Sequence, residues 1–300
     1  SGLLSAERFR GVYESIRPCF SSEFEVDRTF GSRGSGEGEF QTVRQVAVHG
    51  AGPLQRVAAV DSQLGRVLIF NVESGECVAT AGAKGTGPGQ LEHPLGVAFN
   101  ASGELYVCDC ELNRIQVYGK DGSYSRGFGT RGSGKGQLLR PCAIAFTKGG
   151  NLVVADIGNR RVQVLREDGS FVSMVQGGKP YRICVGPDGG MVVTDHAECL
   201  VHLYDDSGAF VRSFGTRGDG AGQFRHVCGV GVGTQGEILV ADFTRSDVQV
   251  FSREGTLLQT IGTNGESSVD LRRAGGLCVD GEGRVFVACG DSANVVMLCS

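Results

Sequence analysis

An all-β chain, folded as a six-bladed β-propeller of four-stranded antiparallel blades, is what this 300-residue sequence predicts, and three observations carry it. The first is a repeat. Gly127–Met174 holds four short β-prone runs divided by glycine turns, and Phe214–Phe251 returns to the same pattern. The second is its period. Aligned on the residue that ends the second run, the units fall at Asp61, Asp109, Asp156, Asp195, Asp242 and Cys289, at intervals of 48, 47, 39, 47 and 47 residues. Four-stranded units of this length bury their apolar faces only against one another, and they close around an axis as blades. The third is the state of the two ends. The last unit offers only three runs, Gly276–Val279, Arg284–Ala288 and Asn294–Leu298, while FEVDRTFG at Phe24–Gly31 resembles the fourth-strand run FVRSFG at Phe210–Gly215. The N-terminal strand, about residues 24–31, should therefore complete the sixth blade and remove two exposed sheet edges at once.

Within a unit the order is an inner strand such as CAIAF, then LVVAD, RVQVL and an outer strand such as SFVSM, with Asp121–Gly122, Asp168–Gly169 and Glu254–Gly255 suited to hairpins. The 49 glycines have no collagen period and belong to such turns. Residues 1–23 stand outside the repeat as an extension or linker, and 24–300 form the propeller. No apolar run is long enough for a helical membrane span and no leader opens the chain, so no membrane partner is expected. Eleven cysteines lie scattered through apolar runs without regular pairing. They read as buried thiols of a reducing compartment, hence a cytoplasmic protein. The isolated domain is expected to be monomeric.

The repeated aspartates look catalytic, but near-equivalent copies ending a strand fit a turn-closing role better. The glycine loops at 31–38, 129–136 and 215–222 resemble phosphate loops in composition alone, because no Gly-Lys-Ser/Thr and helix follow. His93 and His226 hold equivalent inner positions in blades 2 and 5, with His196 on the same face. Three imidazoles could hold zinc, yet the other blades supply no third inner histidine and the nearby arginines oppose a cation. No metal or other cofactor is expected.

Sorting charges by face gives the sharper signal. The crossovers between blades share a face with the loops after the second strands. That face receives Arg44, His93, Arg140, Lys179, Tyr181, Arg182, Arg225, His226, Arg272 and Arg273 near the axis, with Arg160, His196 and Arg245 beside them. Glu92, Glu111, Glu198 and Asp270 temper it. The opposite face collects acids, among them Glu73, Glu76, Asp188, Asp205, Asp206 and Glu254. A basic ring with Tyr181 or Phe243 available for stacking suits a nucleic-acid strand.

The unit signature GxGxGQFxxPxGVA…VADxxNxRIQVF, clearest at Gly85–Tyr118 and Gly132–Leu165, resembles the NHL repeat over about residues 24–299. The pattern departs in blade 1 by an insertion, in blade 4 by the shortened entry QGGKP, and in blade 6 by Cys289. Glycine-rich units with this entry are similar to the C-terminal domains of TRIM-NHL proteins, in which a RING, B-box and coiled coil precede the propeller. The resemblance implies a non-catalytic RNA-binding module that recognises single-stranded or stem-loop RNA and represses messenger RNAs. It places contacts at Arg44, Arg140, Tyr181, Arg182, His226 and Arg273, with Arg160 and Arg245 after the second-strand aspartate. The full expected RNA-binding set adds His93, Lys179, His196 and Arg225. Two alternatives stand beside it: a domain that recognises protein substrates for a ubiquitin ligase, and an axial metal lyase or hydrolase. Exchange of Arg140 and Arg182 for glutamate is expected to abolish RNA binding at unchanged thermal stability.

Overall fold

The computed structural model describes residues 24–262 and 269–299, so the expected extension at 1–23 lies outside the described residues. Six four-stranded antiparallel sheets stand around one axis. Their inner strands are Val43–His49, Pro94–Phe99, Pro141–Phe146, Pro180–Val185, Val227–Val232 and Ala274–Val279. In each blade the second strand ends at the repeated position, as in Leu105–Asp109 and Val285–Cys289. The ring closes as the sequence predicts. Glu25–Phe30 pairs antiparallel with Asn294–Cys299, from Glu25 opposite Cys299 to Phe30 opposite Val295.

Second strands such as Leu105–Asp109 and Ile238–Asp242 are buried along their whole length, because a neighbouring blade covers each sheet face. Outer strands such as Tyr124–Phe128 are mostly open to solvent and more polar. Among the described residues six apolar clusters occupy the six blade interfaces. That between the last blade and the first joins Phe30, Phe286 and Val295 to Phe40, Val57 and Phe70.

Three devices built from repeat residues hold the crossovers into blades 2 and 3 and recur in part in other blades. A glutamine folds back over the glycine loop: Gln137 Oε1 accepts the Gly134 N–H at 2.9 Å. A Cβ on Gly132 would fall 2.3 Å from that same oxygen, so a larger residue there would push the glutamine out of this bond. An arginine from the third strand then reaches into the loop, where Arg161 donates to the carbonyls of Ser133, Gly134 and Gln137 at 2.8 Å each. The aspartate at the end of the second strand is the third device. Asp61 accepts from Gln41 and Thr42 N–H in the crossover and from Gln63 and Leu64 N–H in its own turn, at 2.8–3.2 Å. The aspartate thus ties the turn to the incoming crossover, a second contact that the turn-closing reading omits.

The turn after the second strand carries one left-handed residue in every blade: Gly65, Asn113, Arg160, Cys199, Ser246 and Ala293, with φ between 52° and 63°. Asn113 is therefore the counterpart of Arg160, and Arg114 that of Arg161, one residue on from the pairing of Asn113 with Asn159 that the NR dipeptides invite.

Candidate functional site at the axial mouth of the crossover face

Every inner strand is bulged as it enters its sheet, between Val43 and Val46, Pro94 and Gly96, Pro141 and Ala143, Pro180 and Arg182, Val227 and Val230, and Ala274 and Leu277. A bulge sets two residues against one and re-aims their side chains. Blade 4 places Tyr181 and Arg182 there, and blade 1 places Arg44 and Gln45. Cys142 and Cys228 hold the matching positions of blades 3 and 5. Arg44 acts electrostatically on both Tyr181 and Cys228, and Arg182 on both Cys142 and Cys228. Side chains from blades 1, 3, 4 and 5 can be mutual neighbours only near the axis.

From this mouth a row of rings runs across blades 4 and 5. Tyr181 lies 5.3 Å from His196, His196 lies 4.2 Å from His226, and His226 lies 5.5 Å from Phe243, centroid to centroid. A guanidinium caps each end, Arg182 at 4.2 Å over Tyr181 and Arg273 at 5.6 Å over Phe243. The backbone fixes the row, since Asp242 accepts the His226 N–H at 3.1 Å and Phe243 donates its N–H to the His226 carbonyl at 3.1 Å. Burial lowers the pKa of both imidazoles, and the neighbouring cations Arg182 and Arg217 push the same way. The row is therefore an uncharged stacking surface at neutral pH, with a guanidinium at each end, that of Arg273 also paired with Asp291. Tyr181 and Phe243, alternatives for stacking in the sequence, are the two ends of one row.

The other expected residues separate into two groups. Arg140, Arg160 and Lys179 are exposed on the same face, as is the edge of His93, whose ring is partly covered so that desolvation, with Arg44 and Lys84, lowers its pKa. Arg140 has a left-handed backbone and donates its N–H to Asn113 Oδ1 at 2.8 Å. His93 stands with Arg44, apart from the His196–His226 pair. The second group is occupied by local partners. Arg225 is paired with Asp219, Arg272 with Asp270 at 2.7 Å, and Arg273 with Asp291 at 3.2 Å. Arg245 serves the fold: blade 5 has Asp247 where blades 1, 2 and 3 have Arg66, Arg114 and Arg161, and Arg245 takes over their reach to the Asp219 and Gly220 carbonyls while pairing with Asp247 at 2.8 Å. The basic ring expected from the sequence thus contracts to the axial mouth and the blade 3–4 side of the face. At blade 4 the QGGKP entry carries no glutamine-folded glycine loop.

Arg182 is the largest departure. It is 1% exposed, so its exchange for glutamate would bury an acid, and unchanged stability is the wrong expectation for that variant. Its position is unusual in sequence only by comparison, since the matching residues elsewhere are Gln45, Gly96, Ala143, Gly229 and Gly276. On the opposite face a cleft of about 540 Å³ lies between blades 4 and 5, edged by Asp188, Arg212, Arg253 and Glu254.

Fold and repeat together define a six-bladed β-propeller. The NHL repeat model matches residues 91–118, within blade 2. No curated protein sequence matches the chain. Similar solved structures include virginiamycin B lyase from Staphylococcus aureus, at 12% identity and TM-score 0.62 over 93% of this chain and 100% of that one. A gluconolactonase from Xanthomonas campestris matches at 20% identity and TM-score 0.66, covering 86% of each chain. The WD40 propeller domain of Doa1 matches at 16% identity and TM-score 0.63, over 92% of this chain and 97% of that one. At such identities the likeness is one of fold. It corrects one expectation nonetheless: a non-catalytic role does not follow from this architecture, because a lyase and a lactonase are built on it.

Proposed function

We propose that the axial mouth and the ring row of the crossover face bind single-stranded RNA or the loop of a stem-loop, in the service of post-transcriptional repression. The observation that carries the reading is the row Tyr181–His196–His226–Phe243 with a guanidinium at each end. Unstacked bases have flat faces that such rings cover, and arginine holds the phosphates between them. Lys179, beside His196, supplies a further phosphate contact, and Arg140 and Arg160 lie exposed on the same face. Affinity then falls with salt, the slope of log K against log salt being about −0.7 for each phosphate held.

The test is selection from a randomised RNA pool, followed by affinity measurements on the wild type and on His196→Ala and His226→Ala. Each substitution removes one stacking partner, which is worth roughly 1–3 kcal/mol, or about 5- to 150-fold in affinity. Failure to enrich any sequence, or full affinity in both variants, would overturn the proposal. A protein-recognition reading draws on the paired rim, where Arg225–Asp219, Arg272–Asp270 and Arg273–Asp291 present both signs of charge. It predicts retention of a protein partner in place of RNA.

A further inference from the structure

Arg182 presents a problem that the RNA row does not solve. A buried guanidinium needs a counter-charge, because an unpaired ion in a protein interior is costly. Arg182 Nη1 donates to the carbonyls of Cys142 at 3.2 Å and Tyr181 at 3.1 Å, while Nε is buried with no partner. The groups that act on it most strongly are the Tyr181 phenol and the thiols of Cys228, Cys142 and Cys108. None supplies a negative charge at neutral pH. Burial pushes the Cys142 thiol up to about 12, and it raises Cys228 and Cys108 as well. The nearby repeat aspartates are spent on backbone donors, as Asp195 is on Lys179 and Ala197 N–H, and Asp242 on Arg225, His226 and Thr244 N–H. Arg44 brings a second guanidinium to the same place, and in its own bulge Gln45 Oε1 is also buried without a partner.

We propose that the axial mouth between Arg44, Tyr181 and Arg182 is an anion site that takes a phosphate group, best a dianionic monoester. The donors gathered there are guanidinium N–H and phenol O–H, since the Cys142 thiol is engaged with the Tyr181 carbonyl at 3.1 Å. Apart from Gln45 they lack a strong unengaged acceptor, which favours an oxyanion over a cation or a neutral ligand. A monoester carries close to two charges at neutral pH, against one for an internal phosphodiester, so it answers two arginines better. Two sources share this chemistry: the terminal phosphate of an RNA strand lying along the ring row, and a free phosphorylated metabolite. The site itself does not depend on the RNA reading.

The experiment uses this chain and inorganic phosphate, titrated against chloride at matched ionic strength, with the thermal midpoint and calorimetric binding as readouts. Phosphate at about 100 times its Kd is expected to raise the midpoint by roughly 5 °C. Arg182→Met removes the charge at similar volume. It should fold with an equal or higher midpoint in chloride and show no phosphate shift. Arg44→Gln, at a half-buried position, should weaken phosphate about tenfold, the effect of one lost charged contact; it keeps the test decisive if Arg182→Met does not fold. Uridine monophosphate against uridine, and 5′-phosphorylated against 5′-hydroxyl oligonucleotides, identify the source. Preference for the phosphorylated oligonucleotide assigns the site to an RNA end. Binding of phosphate and the mononucleotide with no oligonucleotide binding keeps the site and removes the RNA reading. No phosphate shift in the wild type, or an equal shift in both variants, would refute the anion site.

Discussion

Ring closure rests on one short strand, and Phe30→Ala measures it. Phe30 is fully buried, pairs with Val295, and sets its ring 5.8 Å from Phe70 of the first blade and 6.2 Å from Phe286 of the last. Its side chain therefore belongs to both sides of the seam. A phenylalanine-to-alanine change at such a site costs about 3–5 kcal/mol, as lost transfer energy and a cavity. At roughly 2–4 °C per kcal/mol for a domain of this size, the midpoint should drop by about 6–20 °C. Val26 supplies the control. It lies in the same strand at 44% exposure, and Val26→Ala should stay within about 0.5 kcal/mol. Urea denaturation followed by intrinsic tyrosine fluorescence and by circular dichroism gives both numbers. A loss below 1 kcal/mol for Phe30→Ala, or equal losses for the two variants, would show that the seam is not what holds the ring.

Three further outcomes follow from the same geometry. Asp61→Ala strips the acceptor from four backbone N–H groups at a fully buried position and should cost about 3 kcal/mol or more, read by denaturant midpoint. Arg160→Gly relieves a left-handed backbone at an exposed site, so it should stabilise by up to about 1 kcal/mol and, on the proposed RNA reading, weaken that binding through the lost charge. His93, His196, His202 and His226 all have folded-state pKa values below the ordinary 6.5, burial being the largest cause. The unfolded chain then binds more protons below pH 6.5, so stability is full above that value and is lost as pH falls toward the folded values. On the proposed RNA reading, phosphates beside His196 and His226 would favour the protonated imidazoles, and RNA affinity should rise over the same fall in pH. Calorimetry between pH 7.5 and 5 checks both signs; a flat stability profile would contradict the burial of these imidazoles.

The fold was legible because every blade needs the same turns, and need repeated six times becomes pattern. Asp109, Gln137 and Arg114 recur at fixed spacing since each crossover must satisfy the same backbone donors and carbonyls. The clasp was legible for the same reason: a fourth strand was missing at one end and present at the other. The site was legible only as a face. Charge sorting put Arg44, Tyr181, Arg182, His196, His226 and Arg273 on one side of the ring, yet gave no warning that Arg225 and Arg272 are held by acids a few residues away. Arg245 misleads because its role is displaced by two residues from that of Arg114, and a repeat alignment reads Asp247 in the arginine's place. Arg182 misleads more deeply. Strand alternation does not foretell which of two residues a bulge turns inward, so burial at that position follows from pairing register and cannot be read from residue type.

The bulge also explains why the candidate site lies where the repeat breaks. Six inner strands meet close to the axis, and three of the six blades fill the paired bulge positions with small residues: Gly275 and Gly276, Cys228 and Gly229, Cys142 and Ala143. The crowding there is severe, since a Cβ on Gly96 would come within 2.7 Å of Ala143 Cα, and one on Gly229 within 2.4 Å of the Gly275 carbonyl. A ring with six large side chains at this level could not close. Blades 1 and 4 can carry the large polar pairs Arg44 with Gln45 and Tyr181 with Arg182 only because blades 3, 5 and 6 carry small ones, and so exact symmetry is incompatible with an axial charge. Small residues on the neighbouring blades and the large polar pair of blade 4 are thus two halves of one constraint. On this argument Gly229→Ala should unsettle the axis in the same assays that report on Arg182, although it adds no charge and removes none. The prediction is a lowered midpoint together with weakened phosphate binding; weakened stability with phosphate affinity intact would separate axial packing from the anion site.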